Sequence, residues 1–336
     1  MLYIGDLYPG STCLDRLRCI ESFGYEIVPF DTTVYTKGGF RISRSIGWRF
    51  NWGPLVTVFN RALCDFAMRI NEISYVWIDK GVWIWPETLD KIMKQTGGIP
   101  IHYTPDPAIL FHKSRHFLKC VPRYAALFTT KPFEVELYRK LGAQKIYLTY
   151  QSFERTRFYP RRAEEAYISD IAFIGHYESH YGDKIRLLSS LKNLNVNIWG
   201  PGWVRHANIA RWCKPYVKGN GIWADEYPKA ISSAKICLGL LSKLIPETTT
   251  TRTFEIPACG AFMLAERTDE HLALFEEGKE AEFFGSGDEL LDKVKYYLAH
   301  PQQRQKIAVA GRERCLKSGY SNHDRMMEMV KIISAL

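Results

Sequence analysis

Residues 247–260 read ETTTTRTFEIPACG and run directly into the apolar residues FMLAE. Glu247 and Glu255 stand eight positions apart, with four threonines and Arg252 between them. The pattern predicts a loop followed by a helix that ends at Gly260, because glycine readily takes the left-handed conformation of helix C-termini. The free N–H groups and the positive dipole end at the start of such a helix favour a phosphate.

Two interpretations of this stretch remain open at this point. Arg252 supplies a permanent, fork-shaped cation, and Glu255 can accept hydrogen bonds from sugar hydroxyls, so the stretch suits a nucleoside-diphosphate-sugar. An ordinary capped helix with a solvated Arg252 and Glu255 explains the same residues. The rest of the chain has to decide between them.

On both sides of this stretch, short apolar segments alternate with segments of helical spacing. The predicted strands are 2–5, 25–30, 74–79, 99–104, 125–130 and 145–150 in the first half, and 170–175, 196–200, 235–241 and 262–265 in the second. Strands separated by helices indicate parallel sheets covered on both faces. The polar residues 160–169 mark the predicted boundary. We therefore expect two Rossmann-like α/β domains, 1–160 and 161–320, facing each other across a cleft, with helix 321–336 packing back across their junction.

Composition places the chain among ordinary globular proteins. It has 336 residues, 46% hydrophobic and 24% charged, which allows two domains. No apolar run approaches the ~20 residues that span a bilayer, and the N-terminus lacks the pattern of a signal peptide. We expect a cytoplasmic protein, with possible peripheral contact at the inner membrane face. The eight cysteines form no C-x-x-C pair, which indicates reduced core thiols.

The net charge of +9 is concentrated in the first half of the chain. Residues 1–160 carry 21 Lys and Arg against 14 Asp and Glu, a surplus of +7. Two stretches, 32–64 and 107–133, contain no acidic residue, and the first is interleaved with aromatic side chains. Such a surface suits an anionic partner: a phosphorylated glycan, a lipid headgroup or a nucleic acid. A solvated basic face over buried aromatics is the alternative.

The chain resembles the CgeB-type (spore maturation protein) glycosyltransferases, which are similar to the group-1 retaining enzymes. The matching segments are VWIDKG (76–81), IHYTPD (101–106), FTTKPFEVELYRKLGAQKIYLTYQSF (128–153), DIAFIGHYE (170–178), residues 227–241, RTFEIPACGAFMLAERTDEHLALFEEGKEAEFF (252–284) and SNHDRM (321–326). The block 252–284 is the most specific. The resemblance implies a GT-B fold with the donor in the C-terminal domain and the acceptor in the N-terminal domain.

The resemblance also implies roles for residues of the second half. The spacing Glu247-x7-Glu255 looks like the paired glutamates of the group-1 enzymes. There the first faces the transferred sugar and the second holds the ribose. Here the residues between them, TTTTRTF, replace the usual glycine-rich loop, so Glu247 can also be fortuitous. Arg252 and the N–H groups near Thr251 and Thr253 would bind the diphosphate. Lys184 resembles the cation that neutralises the leaving diphosphate, with Arg186 as its competitor.

Several residues at strand ends complete the candidate site. Gly10 lies in the first strand–helix turn, where the backbone could approach the sugar-diphosphate closely. Asp106 follows the strand 99–104 and is the candidate for acceptor orientation or proton acceptance. Lys80 and His176 follow other strands and could reach the cleft. His102 is assigned to the acceptor side, although a structural role fits it better.

The predicted function is the transfer of a sugar from a nucleoside-diphosphate-sugar to a hydroxyl, with retention of configuration. No D-x-D motif and no His or Cys ligand spacing is present, so no metal and no cofactor are expected. The predicted acceptor is an anionic glycan or a lipid-linked hydroxyl; a modified nucleic acid is the less favoured acceptor. The rival is a non-catalytic nucleotide-sugar-binding or spore-coat-type structural protein. A dehydrogenase is disfavoured because neither first turn reads G-x-G-x-x-G.

Overall fold

A computed structural model describes residues 1–38 and 40–336. The chain divides into two compact units. The first unit comprises Met1–Tyr150 together with Asn322–Leu336, and the second comprises Gln151–Ser321. Each unit is built around one six-stranded parallel sheet.

The sheet of the first unit has the strand order β2-β1-β3-β4-β5-β6. In chain order the elements are β1 (Leu2–Gly5), α1 (Thr12–Ser22), β2 (Val28–Asp31), α2 (Thr33–Thr36), α3 (Arg41–Phe50), α4 (Pro54–Ala67), β3 (Tyr75–Asp79), α5 (Pro86–Thr96), β4 (Ile99–Thr104), α6 (Arg115–Cys120), β5 (Ala126–Thr129), α7 (Val135–Lys140) and β6 (Ile146–Leu148). Apolar clusters cover both faces of this sheet. Its order reverses between β1 and β3, which is the usual position of a ligand in an open α/β sheet.

The sheet of the second unit has the order β12-β11-β10-β7-β8-β9. Its elements are β7 (Ser169–Ile174), α8 (Ser179–Leu188), β8 (Val196–Trp199), α9 (Trp203–Ile209), β9 (Val217–Gly219), α10 (Glu226–Ser233), β10 (Ala234–Gly239), α11 (Arg252–Ala258), β11 (Met263–Glu266), α12 (Asp269–Leu274), β12 (Glu282–Phe284), α13 (Gly287–Ala299) and α14 (Pro301–Lys317). The order reverses between β7 and β10. This is the six-strand order of dinucleotide-binding folds, and it confirms the predicted Rossmann-like class.

The ends of the second unit lie at positions different from the predicted ones. The first unit ends at Tyr150 rather than at residue 160. The polar residues that follow β6 bind within the second unit, since the backbone N–H groups of Arg161 and Glu164 donate to Ser232 and Ser233 at the end of α10. The last helix, α15 (Asn322–Ile333), belongs to the first unit, where its apolar side chains join the cluster under α1.

Most strand predictions are confirmed to within three residues at either end, but β9 and β12 were missed. Each of these two strands has only three residues and lies at an edge of its sheet. The helix predicted to follow a loop within residues 247–260 is confirmed as α11. Gly260 follows it with φ +66°, and its N–H donates to the Pro257 carbonyl at 2.8 Å.

Two predictions about composition are also tested by the fold. All eight cysteines are free thiols, and six of them are buried, as predicted. Among the described helices, none combines the length and the apolar character needed to cross a membrane.

Candidate functional site

Arg252 occupies the point in the second unit where the strand order reverses. Its Nη2 donates to the Leu240 carbonyl at 2.8 Å, and its Nη1 donates to the Ile174 carbonyl at 3.3 Å. These carbonyls lie at the carboxyl ends of β7 and β10, which are the two strands that flank the reversal. Within the described residues, no carboxylate forms an ion pair with this half-buried guanidinium. Two backbone carbonyls therefore hold the guanidinium at the expected ligand position.

Gly175 and Gly200 lie beside the Arg252 guanidinium, where a larger residue would not fit. A Cβ atom added to Gly175 would lie 3.0 Å from Arg252 Nη1 and 2.9 Å from the Phe173 ring. A Cβ atom on Gly200 would lie 1.8 Å from the Gly175 carbonyl oxygen. Only glycine allows the ends of β7 and β8 to approach this closely beside the guanidinium.

Glu178 connects the segment after β7 to the segment after β10. Its buried carboxylate accepts a hydrogen bond from Ser242 Oγ at 3.0 Å and lies 2.7 Å from His176 Nε2. His180 Nε2 donates to the Leu241 carbonyl at 2.6 Å, on the same connection. The predicted site residue His176 therefore lies at this edge of the sheet, with an exposed ring. Glu178, which was not predicted, organises the two connections.

Glu266, at the carboxyl end of β11, gathers two lysines. Lys243 Nζ lies 2.6 Å and Lys184 Nζ lies 3.7 Å from Glu266 Oε2, while Oε1 accepts the Leu241 N–H at 3.0 Å. The structure thus brings the predicted Lys184 to the strand edge. Arg186 is exposed on α8, two positions further along the helix and so on roughly the opposite side of it. Lys184, and not Arg186, joins the cluster.

Glu255 lies inside α11 and is almost completely buried. The hydroxyl of Tyr227 donates to its Oε2 at 2.7 Å. Burial raises the pKa of Glu255, and the hydrogen bond from Tyr227 and the charges of Arg157 and Arg252 only partly oppose this. The carboxylate is therefore a strong acceptor in a poorly hydrated place, where the side chains of Tyr227 and Thr251 are its internal donors.

Glu247 lies at the same edge of the sheet. Its Oε2 accepts the Ser242 N–H at 3.0 Å. Burial raises the pKa of the Tyr181 hydroxyl, Arg252 opposes the shift, and the carboxylates of Glu178, Glu247 and Glu266 add to it. Tyr181 therefore lies in a cluster formed by the segment after β7, the segment after β10 and the end of β11.

The threonines before α11 serve the backbone of the loop. Thr253 Oγ1 accepts the Thr250 N–H at 3.2 Å and is bonded to His271 Nε2 at 2.9 Å. The Thr251 carbonyl accepts the Glu255 N–H at 2.9 Å. Both threonines thus fix the start of α11, and the structure places their side chains in internal bonds. The sequence offered no indication of this role for His271.

The acceptor-side candidates of the first unit form an ion pair. Lys80 Nζ lies 2.7 Å from Asp106 Oδ2, and both side chains are partly exposed at the ends of β3 and β4. Burial acts to raise the pKa of Asp106, but Lys80, His112 and Lys131 outweigh it and hold the pKa below its usual range. An anionic Asp106 of low basicity suits orientation of a hydroxyl better than removal of its proton.

The remaining candidates of the first unit lie apart from this pair. Gly10 is exposed in the turn between β1 and α1, with φ +85°. His102 is fully buried between the rings of Phe117 and Tyr124, and its Nε2 donates to the Lys80 carbonyl at 3.0 Å. His102 therefore supports the strand end that carries Lys80, and we assign it a structural role.

His102 should make the protein sensitive to acid. Burial lowers its pKa to about 4, against 6.5 for a free imidazole. The unfolded chain gains a proton below pH 6.5 while the folded chain does not, so the free energy of unfolding is lost as pH falls from 6.5 to 4, by about 3 kcal/mol. We expect urea unfolding of His102→Gln to lose this dependence in that window. A slope equal to that of the wild type would contradict the buried neutral ring.

The described residues contain no group of three or more His, Cys, Asp or Glu arranged to hold a metal ion. The charges at the edge of the second sheet are instead the cations Lys184, Lys243 and Arg252 beside four glutamates.

Comparison of the sequence with known proteins finds two similarities. Residues 184–331 match the family model described as "Glycosyl transferase-like". A curated protein, the spore protein CgeB of Bacillus subtilis, is 22% identical over 200 residues. That match covers 55% of this chain and 61% of the relative, so it spans less than two thirds of the relative's length.

Solved structures match the whole chain at low sequence identity. Sucrose-phosphate synthase from Thermosynechococcus elongatus has a TM-score of 0.72 and 11% identity, covering 99% of this chain and 98% of its own. Anabaena HepE in complex with UDP-glucose has a TM-score of 0.69 and 12% identity, covering 100% and 99%. At such identities the likeness establishes the fold. The chain is therefore similar in sequence to CgeB and, over residues 184–331, to the glycosyl transferase-like family, and its fold is that of the GT-B glycosyltransferases.

Proposed function

We propose that the protein transfers a sugar from a UDP-sugar to a hydroxyl acceptor, with the donor bound at the carboxyl edge of the second sheet. The observation that carries this proposal is the guanidinium of Arg252, which two backbone carbonyls hold at the strand reversal between the ends of β7 and β10. A phosphate of a nucleoside diphosphate is a suitable partner for a guanidinium at this position. The solved HepE structures contain UDP and UDP-glucose, which makes uridine the first base to test.

The two glutamates of the predicted pattern fit two parts of such a donor. Glu255 is buried next to Tyr227 and offers a carboxylate oxygen to the ribose hydroxyls. Glu247 lies in the cluster around Tyr181 and is assigned to the transferred sugar. Their spacing supports a transfer with retention of configuration, as in the group-1 enzymes that the chain resembles.

Departure of the diphosphate needs positive charge at the point where negative charge develops. Lys184 and Lys243 share the carboxylate of Glu266, and both can turn from it to a phosphate oxygen. These side chains and Arg252 support a reaction in which protein cations neutralise the leaving group, without a metal ion. Turnover that persists in excess EDTA is the expected result.

The acceptor is proposed to bind the first unit near Lys80 and Asp106. A cavity at the reversal between β1 and β3 is lined by Asp6, Thr32, Thr36, Trp48, Asp79, Lys80 and His112, among others. Its mixture of hydroxyls, carboxylates and one lysine suits a polyhydroxylated group. We propose an anionic glycan or a lipid-linked hydroxyl; a nucleic acid would show a steep loss of affinity with salt.

The donor proposal is tested by calorimetric titration with UDP and UDP-glucose, using Lys184→Gln and Arg186→Gln as a matched pair. Both substitutions remove one cation from α8, but only Lys184 reaches the cluster. We expect the affinity for UDP to fall by about tenfold or more in Lys184→Gln and to stay unchanged in Arg186→Gln.

Three other outcomes separate the alternatives. Equal loss in both variants would indicate nonspecific attraction of the anion. Binding of UDP-glucose without release of UDP, with acceptor glycans present, would favour the non-catalytic nucleotide-sugar-binding protein. No binding by the folded wild type would overturn the donor site.

A further inference from the structure

Helix α3 is an exposed amphipathic element on the surface of the first unit. Gly47 is its only buried residue, and it packs against the Trp83 ring. Large apolar side chains of the helix and its flanks are exposed to solvent: Phe40 85%, Ile42 75%, Phe50 63% and Trp52 66%. An apolar surface of this kind on a folded protein marks a site of interaction.

A second segment adds to the same surface. Asn51 Nδ2, directly after α3, donates to the His112 carbonyl at 3.2 Å. This bond places the short π-helix Ala108–His112, with the exposed side chains Leu110 and Phe111, beside the end of α3. We call residues 40–52 together with 108–112 the aromatic surface.

The charges around the aromatic surface are positive. Residues 32–64 and 107–133 contain no Asp or Glu. They contribute the following basic residues next to the apolar ones: Lys37, Arg41, Arg44, Arg49, Lys113 and Arg115. Arg49 lies over the Phe50 ring at 5.6 Å, and Arg44 donates to the Lys37 carbonyl. The first of these contacts holds a basic group close to an exposed ring.

We propose that the aromatic surface docks the protein onto an anionic lipid bilayer. Aromatic and aliphatic side chains that stand out from a basic helix enter the headgroup region, while the arginines bind the anionic headgroups. A second copy of the chain fits less well, because self-association would bring the arginines of both copies together. The aliphatic Ile42 and Leu110 also fit an acyl boundary better than a nucleic acid.

Flotation with lipid vesicles tests this docking on the full chain. The probes are vesicles of phosphatidylcholine alone and of phosphatidylcholine with 30% phosphatidylglycerol, the latter a chosen composition of about one anionic lipid in three. We expect binding to the anionic vesicles, weaker binding at high salt, and little binding to phosphatidylcholine alone. Arg41→Glu/Arg49→Glu should weaken binding by about 25-fold or more, since each lost arginine accounts for about fivefold and the added carboxylates repel the anionic lipids.

Matched variants separate the aromatic surface from general stickiness. Phe50→Ser/Trp52→Ser should weaken binding by about tenfold or more, whereas Trp223→Ser, in the second unit and 66% exposed like Trp52, should bind as the wild type does. Lys192→Glu/Arg205→Glu, at exposed positions of the second unit, is the control for charge.

The proposal is overturned if the wild type ignores anionic vesicles, or if the control variants lose as much binding as the surface variants. A dimer in sedimentation that Phe50→Ser/Trp52→Ser abolishes, without vesicle binding, would assign the surface to a second copy instead. UDP titration of the same variants keeps this result separate from the donor proposal, since the aromatic surface and the Arg252 site lie in different units.

Discussion

Replacing Asp79 with alanine is expected to lower the free energy of unfolding of the first unit by about 3–5 kcal/mol. Asp79 ends β3 and accepts two hydrogen bonds from Arg16, from Nε at 2.7 Å and from Nη2 at 3.0 Å. The Tyr3 hydroxyl donates to the same carboxylate at 3.0 Å. Both charged side chains are almost fully buried. Removal of the carboxylate leaves an unpaired guanidinium in the core.

A matched pair on the surface of the same unit provides the control. Arg123 binds Asp90 with the same two-bond geometry, at 2.7 Å and 3.0 Å, but both side chains are substantially exposed. Asp90→Ala should cost no more than about 1 kcal/mol, because solvent replaces the lost partner. The measurement is urea unfolding followed by the fluorescence of the tryptophans. Similar losses in the two variants would contradict the role given to burial.

A third variant separates the cost of a stranded charge from the value of the pair. Replacing both partners with apolar residues, Arg16→Met/Asp79→Leu, removes the charges together. We expect this double variant to recover most of the stability lost in Asp79→Ala, since a buried ion pair contributes little beyond a well-packed apolar contact. A double variant as unstable as Asp79→Ala would show that the pair itself stabilises the unit.

The second large effect is expected at Glu255. Glu255→Gln removes the negative charge that we assign to the ribose hydroxyls, and a hydrogen bond to a charged group contributes about 1.5–3 kcal/mol. The affinity for UDP should therefore fall by about 10- to 150-fold. Calorimetric titration measures this loss, and the base-only ligand uracil, which lacks the ribose, should be affected little.

Tyr227→Phe is the control for this substitution. It removes the internal donor at 2.7 Å but leaves the carboxylate in place. UDP should bind this variant far better than it binds Glu255→Gln. If Tyr227→Phe loses as much affinity, then the contribution of Glu255 is to the shape of the site, through Tyr227, and not to a contact with the nucleotide.

Glu255→Gln should also stabilise the unliganded protein at neutral pH. Burial raises the pKa of Glu255, so the wild type loses free energy of unfolding as pH rises from the ordinary value of a glutamate through the raised one. Glu255→Gln has no charge to bury and lacks this loss. The free energy of unfolding of Glu255→Gln should equal that of the wild type at low pH and should exceed it as pH increases. Binding groups are commonly kept at such a cost in stability.

The boundaries of strands and helices could largely be predicted from the sequence, because apolar alternation is a local property. The three-residue strands β9 and β12 escaped prediction since an edge strand of that length leaves no periodic signal. The first unit likewise ends at Tyr150 rather than at 160, because the polar residues that follow bind to serines of α10, far along the chain.

The candidate site was predictable only in part. Glu255, Arg252 and Lys184 belong to recognisable segments, and the structure places all three at the carboxyl edge of the second sheet. Glu178 and Glu266 had one usable signal, an acidic residue at or just beyond the end of an apolar strand. Tyr227 begins a matching segment, but nothing in the sequence linked it to Glu255, which lies 28 positions further along the chain.

The sequence by itself determined the fold class and the chemical kinds of group available to a donor. These depend on residue type and local spacing. Tertiary structure alone decided which of those groups meet. The strand order places β7 next to β10, so that one guanidinium binds the ends of both, and helix geometry sends Lys184 to Glu266 while Arg186 faces solvent. These contacts join residues that are far apart in the chain, so they depend on tertiary packing and not on any local sequence pattern.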